Sequence, residues 1–90
     1  MADEKKPLVP MIPVTSSNVR AIGYDDISHT LFVQFKGYKP VAGPQRDDSL
    51  YKYFYVQRIV YLKMLFARSK GKFVHWYLYG RYRYTKVGRA

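Results

Sequence analysis

The sequence predicts an α+β domain. A small antiparallel sheet of three strands, with a C-terminal segment as a fourth candidate, packs against one main helix and a second short one. Three observations carry this reading. His29–Lys36 (HTLFVQFK) and Leu50–Tyr55 (LYKYFY) follow the period of two that marks a half-buried strand. Val56–Arg68 (VQRIVYLKMLFAR) then switches to helical spacing. The chain has 90 residues, 48% of them hydrophobic and 18% aromatic, which is enough for one small core.

Met1–Pro13 is charged at its start and then broken by Pro7, Pro10 and Pro13. It shows neither period and is expected to be a flexible arm. Asn18–Tyr24 (NVRAIGY) has strand composition, and the turn signal around Asp25–Ser28 joins it to His29–Lys36 as a hairpin. In that second strand Leu31, Val33 and Phe35 share one face. Gly37–Ser49 (GYKPVAGPQRDDS) is a loop by composition. The next strand, Leu50–Tyr55, puts Tyr51, Tyr53 and Tyr55 on one side and Lys52 and Phe54 on the other.

In the main helix Val56, Ile59, Val60, Leu62, Met64, Leu65 and Phe66 form a wide apolar face suited to lying on the sheet. Ser69 is placed to cap a short helix over Lys70–Tyr79, with Phe73/Tyr77 and Val74/Leu78 as i,i+4 pairs and Gly80 as its stop. Arg81–Val87 (RYRYTKV) alternates again and is expected to run extended, while residues 88–90 form a tail. The ordered unit is therefore expected to be a single domain over residues 14–87.

Charge divides the chain. Residues 1–48 hold six basic and six acidic side chains, so the whole net charge of +10 lies in residues 49–90, which contain no acid. The same segment contains eight of the ten tyrosines and the one tryptophan. Such a field favours a polyanionic partner. Cations interleaved with rings suit phosphate neutralisation and base stacking, so RNA or another single-stranded nucleic acid is the expected ligand. An acidic surface on a partner protein, met by a small adaptor or inhibitor, is the alternative. A membrane role is not expected. No apolar run approaches the roughly 20 residues of a membrane span, and neither helix pairs a strong apolar face with a lysine-rich one. The absence of cysteine excludes disulfides and thiolate metal sites. The charged start MADEKK, and a following LVPMIPV too short and proline-broken for a signal core, lead us to expect a cytoplasmic setting.

Several motifs occur in a fixed order: Ser16–Asp25 (SSNVRAIGYD), Tyr51-Lys52-Tyr53 followed by Phe54, Ser69-Lys70-Gly71-Lys72-Phe73, and Gly80-Arg81-Tyr82-Arg83-Tyr84. Together they resemble the KTSC domain, a small module named for the C-terminal region of some lysyl-tRNA synthetases. The resemblance spans about residues 15 to 87. It implies a compact α+β module for which RNA binding is the proposed role, and it implies no enzyme activity. Four features depart from the family pattern. Gly37–Ser49 replaces a tight turn, His75 stands where asparagine is favoured, Tyr79 where a basic residue is common, and Arg83 where proline is usual.

The candidate nucleic-acid contacts are Lys70, Lys72, Arg81, Arg83, Lys86, Tyr82, Tyr84, Trp76, Lys52 and Arg20. Ser69–Lys72 reads either as a phosphate cradle at a helix start or as a simple cap with solvated lysines. Arg81 and Arg83 rank ahead of any ring as phosphate contacts, and Tyr82 and Tyr84 fall on the opposite face of the extended segment from them. No catalytic residue, cofactor or metal site is expected. His29 and His75 lack an acid–base partner in sequence, and the pairs Asp25-Asp26 and Asp47-Asp48 sit where aspartate serves turns.

Overall fold

In the computed structural model, which describes residues 9–37 and 40–89, five strands form one sheet in the order β1-β2-β3-β4-β5. These are β1 (Ile12–Pro13), β2 (Val19–Asp25), β3 (Thr30–Phe35), β4 (Ser49–Tyr53) and β5 (Tyr84–Arg89), each antiparallel to its neighbour. The α+β class is as expected, but the strand count is five rather than three or four. Both additions lie at the ends. Ile12 and Pro13 pair with Ile22 and Ala21, so the end of the expected arm belongs to the sheet. Met1–Leu8, the first part of that arm, lie outside the described residues. Gly88 and Arg89 continue β5 where a tail was expected.

Between β4 and β5 the chain forms α1 (Arg58–Phe66), α2 (Lys70–Phe73) and a π-helical turn over Val74–Leu78. The core lies between this helical layer and one face of the sheet. Ile22, Leu31, Val33 and Tyr53 come from the sheet, Val60 and Met64 from α1, and Val74 and Leu78 from the π-turn. The alternation of Leu31, Val33 and Phe35 thus places all three towards the helices. A slip in the β2–β3 ladder between Val19 and Ala21 lets both Val19 and Ile22 reach the same core.

The helices depart from expectation in detail. α1 is shorter than Val56–Arg68 and its buried stripe narrower, since Ile59 and Phe66 are exposed. Tyr55 takes a left-handed φ of 56° and turns out of β4, so it does not join Tyr51 and Tyr53. Tyr24 fixes the entry to α1: its hydroxyl donates to the Val56 carbonyl at 2.5 Å, and its ring stacks on Tyr61 at 5.2 Å. The Ser69 cap is present, its Oγ accepting from the Lys72 N–H at 3.2 Å. The expected second helix continues as a π-turn, closed by the Tyr79 N–H bonded to the Val74 carbonyl at 2.8 Å. Gly80, with φ of 86°, ends it in the left-handed region that favours glycine. Arg81 and Tyr82 then turn back on the Leu78 carbonyl, so the extended segment starts at Tyr84 and not at Arg81.

The loop between β3 and β4 is tied at its base by Asp48. Its carboxylate accepts from Gln34 Nε2 and from the Gly37 N–H, each at 2.9 Å, and pairs with Arg20 Nε. Gln45 Nε2 adds a bond to the Gly37 carbonyl at 2.8 Å. The aspartate read as a local turn former therefore joins β2, β3 and the loop. Burial pushes the Asp48 carboxyl up, but the bonds from Arg20, Gly37 and Gln34 outweigh it and hold the group below its usual range.

Candidate nucleic-acid interface

β4 and β5 bring tyrosines together because directly opposed residues in an antiparallel pair share a face. Tyr53 stands opposite Tyr84, and Tyr51 opposite Lys86. On that face Tyr84 lies 5.8 Å from Tyr51 and 5.6 Å from Tyr53, ring centre to ring centre. Tyr79, leaving the π-turn, approaches Tyr84 at 6.3 Å. Phe35 closes the inner end with its ring edge-on to Tyr51 at 5.4 Å. These rings and Ser49 line an open groove of about 360 Å³.

The rings continue past the groove onto the π-turn. His75 lies parallel to Tyr79 at 6.4 Å and edge-on to Trp76 at 5.0 Å. Trp76 is 73% exposed, Tyr79 63% and Tyr84 45%. Below the groove, Tyr79, Tyr84 and the turn Gly80–Arg83 enclose a second open depression with no acidic lining. Arg81 stacks its guanidinium over Tyr77 at 5.0 Å, which fixes one cation beside the aromatic strip. Arg83 and Lys86 are exposed on the two sides of Tyr84 in sequence. Lys86 also lines a polar cleft with Lys36, Gln45, Arg46 and Asp47.

The fold separates the sequence-predicted contacts into three groups. Tyr84 lines the groove, Lys86 stands opposite Tyr51 in the ladder, and Arg81 and Arg83 line the adjoining depression with Tyr79 and Tyr84. Lys72 and Trp76 are exposed on α2 and the π-turn, while Tyr82 is half-buried against the core. Lys70, Lys52 and Arg20 lie elsewhere or are engaged. Lys70 is only 8% exposed and donates its ammonium to the Ala67 carbonyl at the end of α1, which stabilises that helix terminus. The motif Ser69–Lys72 thus presents one exposed lysine, not two, and the cap reading fits it better than the cradle. Lys52 is on the opposite face of β4 from Tyr51 and Tyr53, with its ammonium 5.8 Å over the Phe32 ring. Arg20 is held by Asp48. Tyr79, absent from the sequence-predicted contacts, also lines the groove. Its only sequence signal is its place before Gly80; as the extended residue that ends the π-turn it leaves the helix and its ring meets Tyr84.

Asp25 and His29, weighed in the sequence, have separate hydrogen-bond partners. Asp25 accepts from the Ile27 N–H at 3.0 Å and from Ser28 Oγ at 2.9 Å, and these bonds within its own turn, that from Ser28 first, lower its pKa. His29 meets the Tyr24 hydroxyl at 3.2 Å, far along the chain from His75. Among the described residues no cluster of three or more His, Cys, Asp or Glu side chains is placed to hold a metal, and no helix is long and apolar enough to cross a membrane.

The fold is an antiparallel meander with its helical layer inserted before the last strand. The chain belongs to the KTSC domain family, whose model matches residues 15–87. The fold is similar to the crystal structure of a KTSC domain protein from Yersinia pestis. That match has a TM-score of 0.71 and 29% sequence identity, and covers 89% of this chain and 99% of the other. No curated protein matches the chain.

Proposed function

We propose that the chain is a non-enzymatic, cytoplasmic RNA-binding module that holds the phosphate backbone of a single strand. The observation that carries this is the setting of three exposed rings, Trp76, Tyr79 and Tyr84, beside the exposed cations Arg81, Arg83 and Lys86. Phosphates supply most of the affinity through these cations and Lys72, and stacking adds a second contribution. Single-stranded RNA suits the surface better than a duplex, because the bases of a duplex are already stacked on one another and leave exposed rings unused.

Fluorescence anisotropy with a labelled single-stranded RNA, repeated across a series of salt concentrations, tests the proposal. Neutralisation of about four phosphates on a single strand gives a slope of log K against log[salt] of about −3. No binding at low salt, or a slope near zero, would overturn it and favour an acidic protein surface as the partner.

A further inference from the structure

We infer that the tyrosine groove between β4, β5 and the π-turn is a subsite for one unpaired nucleobase, stacked against Tyr79 and Tyr84 with its polar edge towards the hydroxyls of Tyr51 and Tyr53. The inference rests on the proposed RNA binding and deepens it, since backbone contacts alone need no groove. Three features point to a flat, polar-edged ligand in place of an aliphatic one.

The first is shape and chemistry together. Tyr79 and Tyr84 are both well exposed and form a tilted pair, 6.3 Å apart at 45°, so each leaves ring surface free for a flat ligand to stack on. The second is the floor. Tyr53 is only 4% exposed, yet its hydroxyl has no hydrogen-bond partner among the described residues, and no buried side-chain polar atom there is left unpartnered. The hydroxyl is therefore largely desolvated but not sealed from solvent, and Tyr53 lines the groove. Burial first, then the phenols of Tyr51 and Tyr84 close to it, push Tyr53 up to about 12. It remains a protonated donor throughout the neutral range, suited to a carbonyl or ring nitrogen of a base. The third is charge. The groove lining contains no acid, Lys86 stands opposite Tyr51 in the ladder, and Arg81 and Arg83 line the adjoining depression that shares Tyr79 and Tyr84 with the groove, so phosphates flanking an inserted base have cations within reach.

The test compares wild-type protein with the double substitution Tyr79→Ala/Tyr84→Ala. Two ligands are used: a single-stranded RNA of roughly eight nucleotides, in the usual range of single-strand site sizes, and the same backbone without bases. Both side chains are exposed, so circular dichroism should show the variant folded. The variant is expected to bind the RNA about ten- to a hundredfold more weakly, with an unchanged salt slope and with no loss against the abasic ligand. Tyr53→Phe keeps the floor packed and is expected to weaken the RNA complex several-fold while leaving the abasic complex untouched. Equal affinity of wild type and double variant for the RNA would overturn the base subsite while leaving backbone binding intact. Equal losses on the RNA and the abasic ligand would also overturn it. Failure of the wild-type protein to bind either ligand would remove both this inference and the reading it rests on.

Discussion

Asp48→Ala should destabilise the protein by about 3 kcal/mol. The carboxylate accepts from the Gly37 N–H and from Gln34 Nε2, two half-buried donors, each at 2.9 Å. Bonds to a charged acceptor contribute roughly 1–2 kcal/mol each at such sites, and losing them leaves the donors poorly solvated. The Arg20 pair is more exposed on the arginine side and adds under about 1 kcal/mol. For a domain of this size, about 3 kcal/mol corresponds to a fall in Tm of roughly 10–20 °C. The pH dependence has a definite sign. The folded pKa of Asp48 lies below its unfolded value of 3.8, so the charge-dependent part of the stabilisation is fully present above pH 4 and is lost as pH falls through the folded pKa. Urea denaturation of wild type and Asp48→Ala at a series of pH values reads this directly. The stability difference should be full at pH 7 and shrink below pH 4. A difference that is constant with pH, or smaller than about 0.5 kcal/mol at pH 7, would refute the role given to the carboxylate.

Two further substitutions separate structure from binding. Lys70→Met should lower stability by about 1 kcal/mol through loss of the bond to the Ala67 carbonyl, with the salt slope of RNA binding unchanged, whereas Lys72→Gln should spare stability and make the slope shallower; denaturation and anisotropy titrations on both variants check this. The raised pKa of Tyr53 stabilises the fold below its unfolded value of 10 and is lost as pH rises towards about 12, so wild-type stability should fall across that interval and Tyr53→Phe should flatten the fall, as read by urea midpoints.

The parts of the fold legible in sequence are those where one local period answers one environment. Leu31, Val33 and Phe35 alternate because one face of β3 meets the helices, and the Phe73/Tyr77 pair appears as stacked rings 5.0 Å apart. β1 was hidden because two residues, one of them a proline, carry no period, and only their pairing with Ile22 and Ala21 makes them a strand. The π-turn was hidden because Val74 and Leu78 are buried at the same i,i+4 spacing an α-helix would show. Composition marked Lys70 as a surface cation, but its long stem lets it lie within the helical layer while its ammonium caps α1. The groove depends on contacts across some thirty residues of chain between β4 and β5, with a ladder slip between Leu50 and Tyr51. Nothing local to Tyr79 announces that it meets Tyr84.

On the proposed function, Arg81, Arg83 and Lys86 hold a nucleic-acid backbone. The measurement closest to this is the salt dependence of RNA affinity for Arg81→Gln/Arg83→Gln/Lys86→Gln beside the wild type. Each phosphate contact removed should reduce the slope by about 0.7–1 on a single strand. The variant should therefore fall from about −3 to about −1 and lose affinity most at low salt. A variant with the wild-type slope would place the phosphates elsewhere and contradict the account.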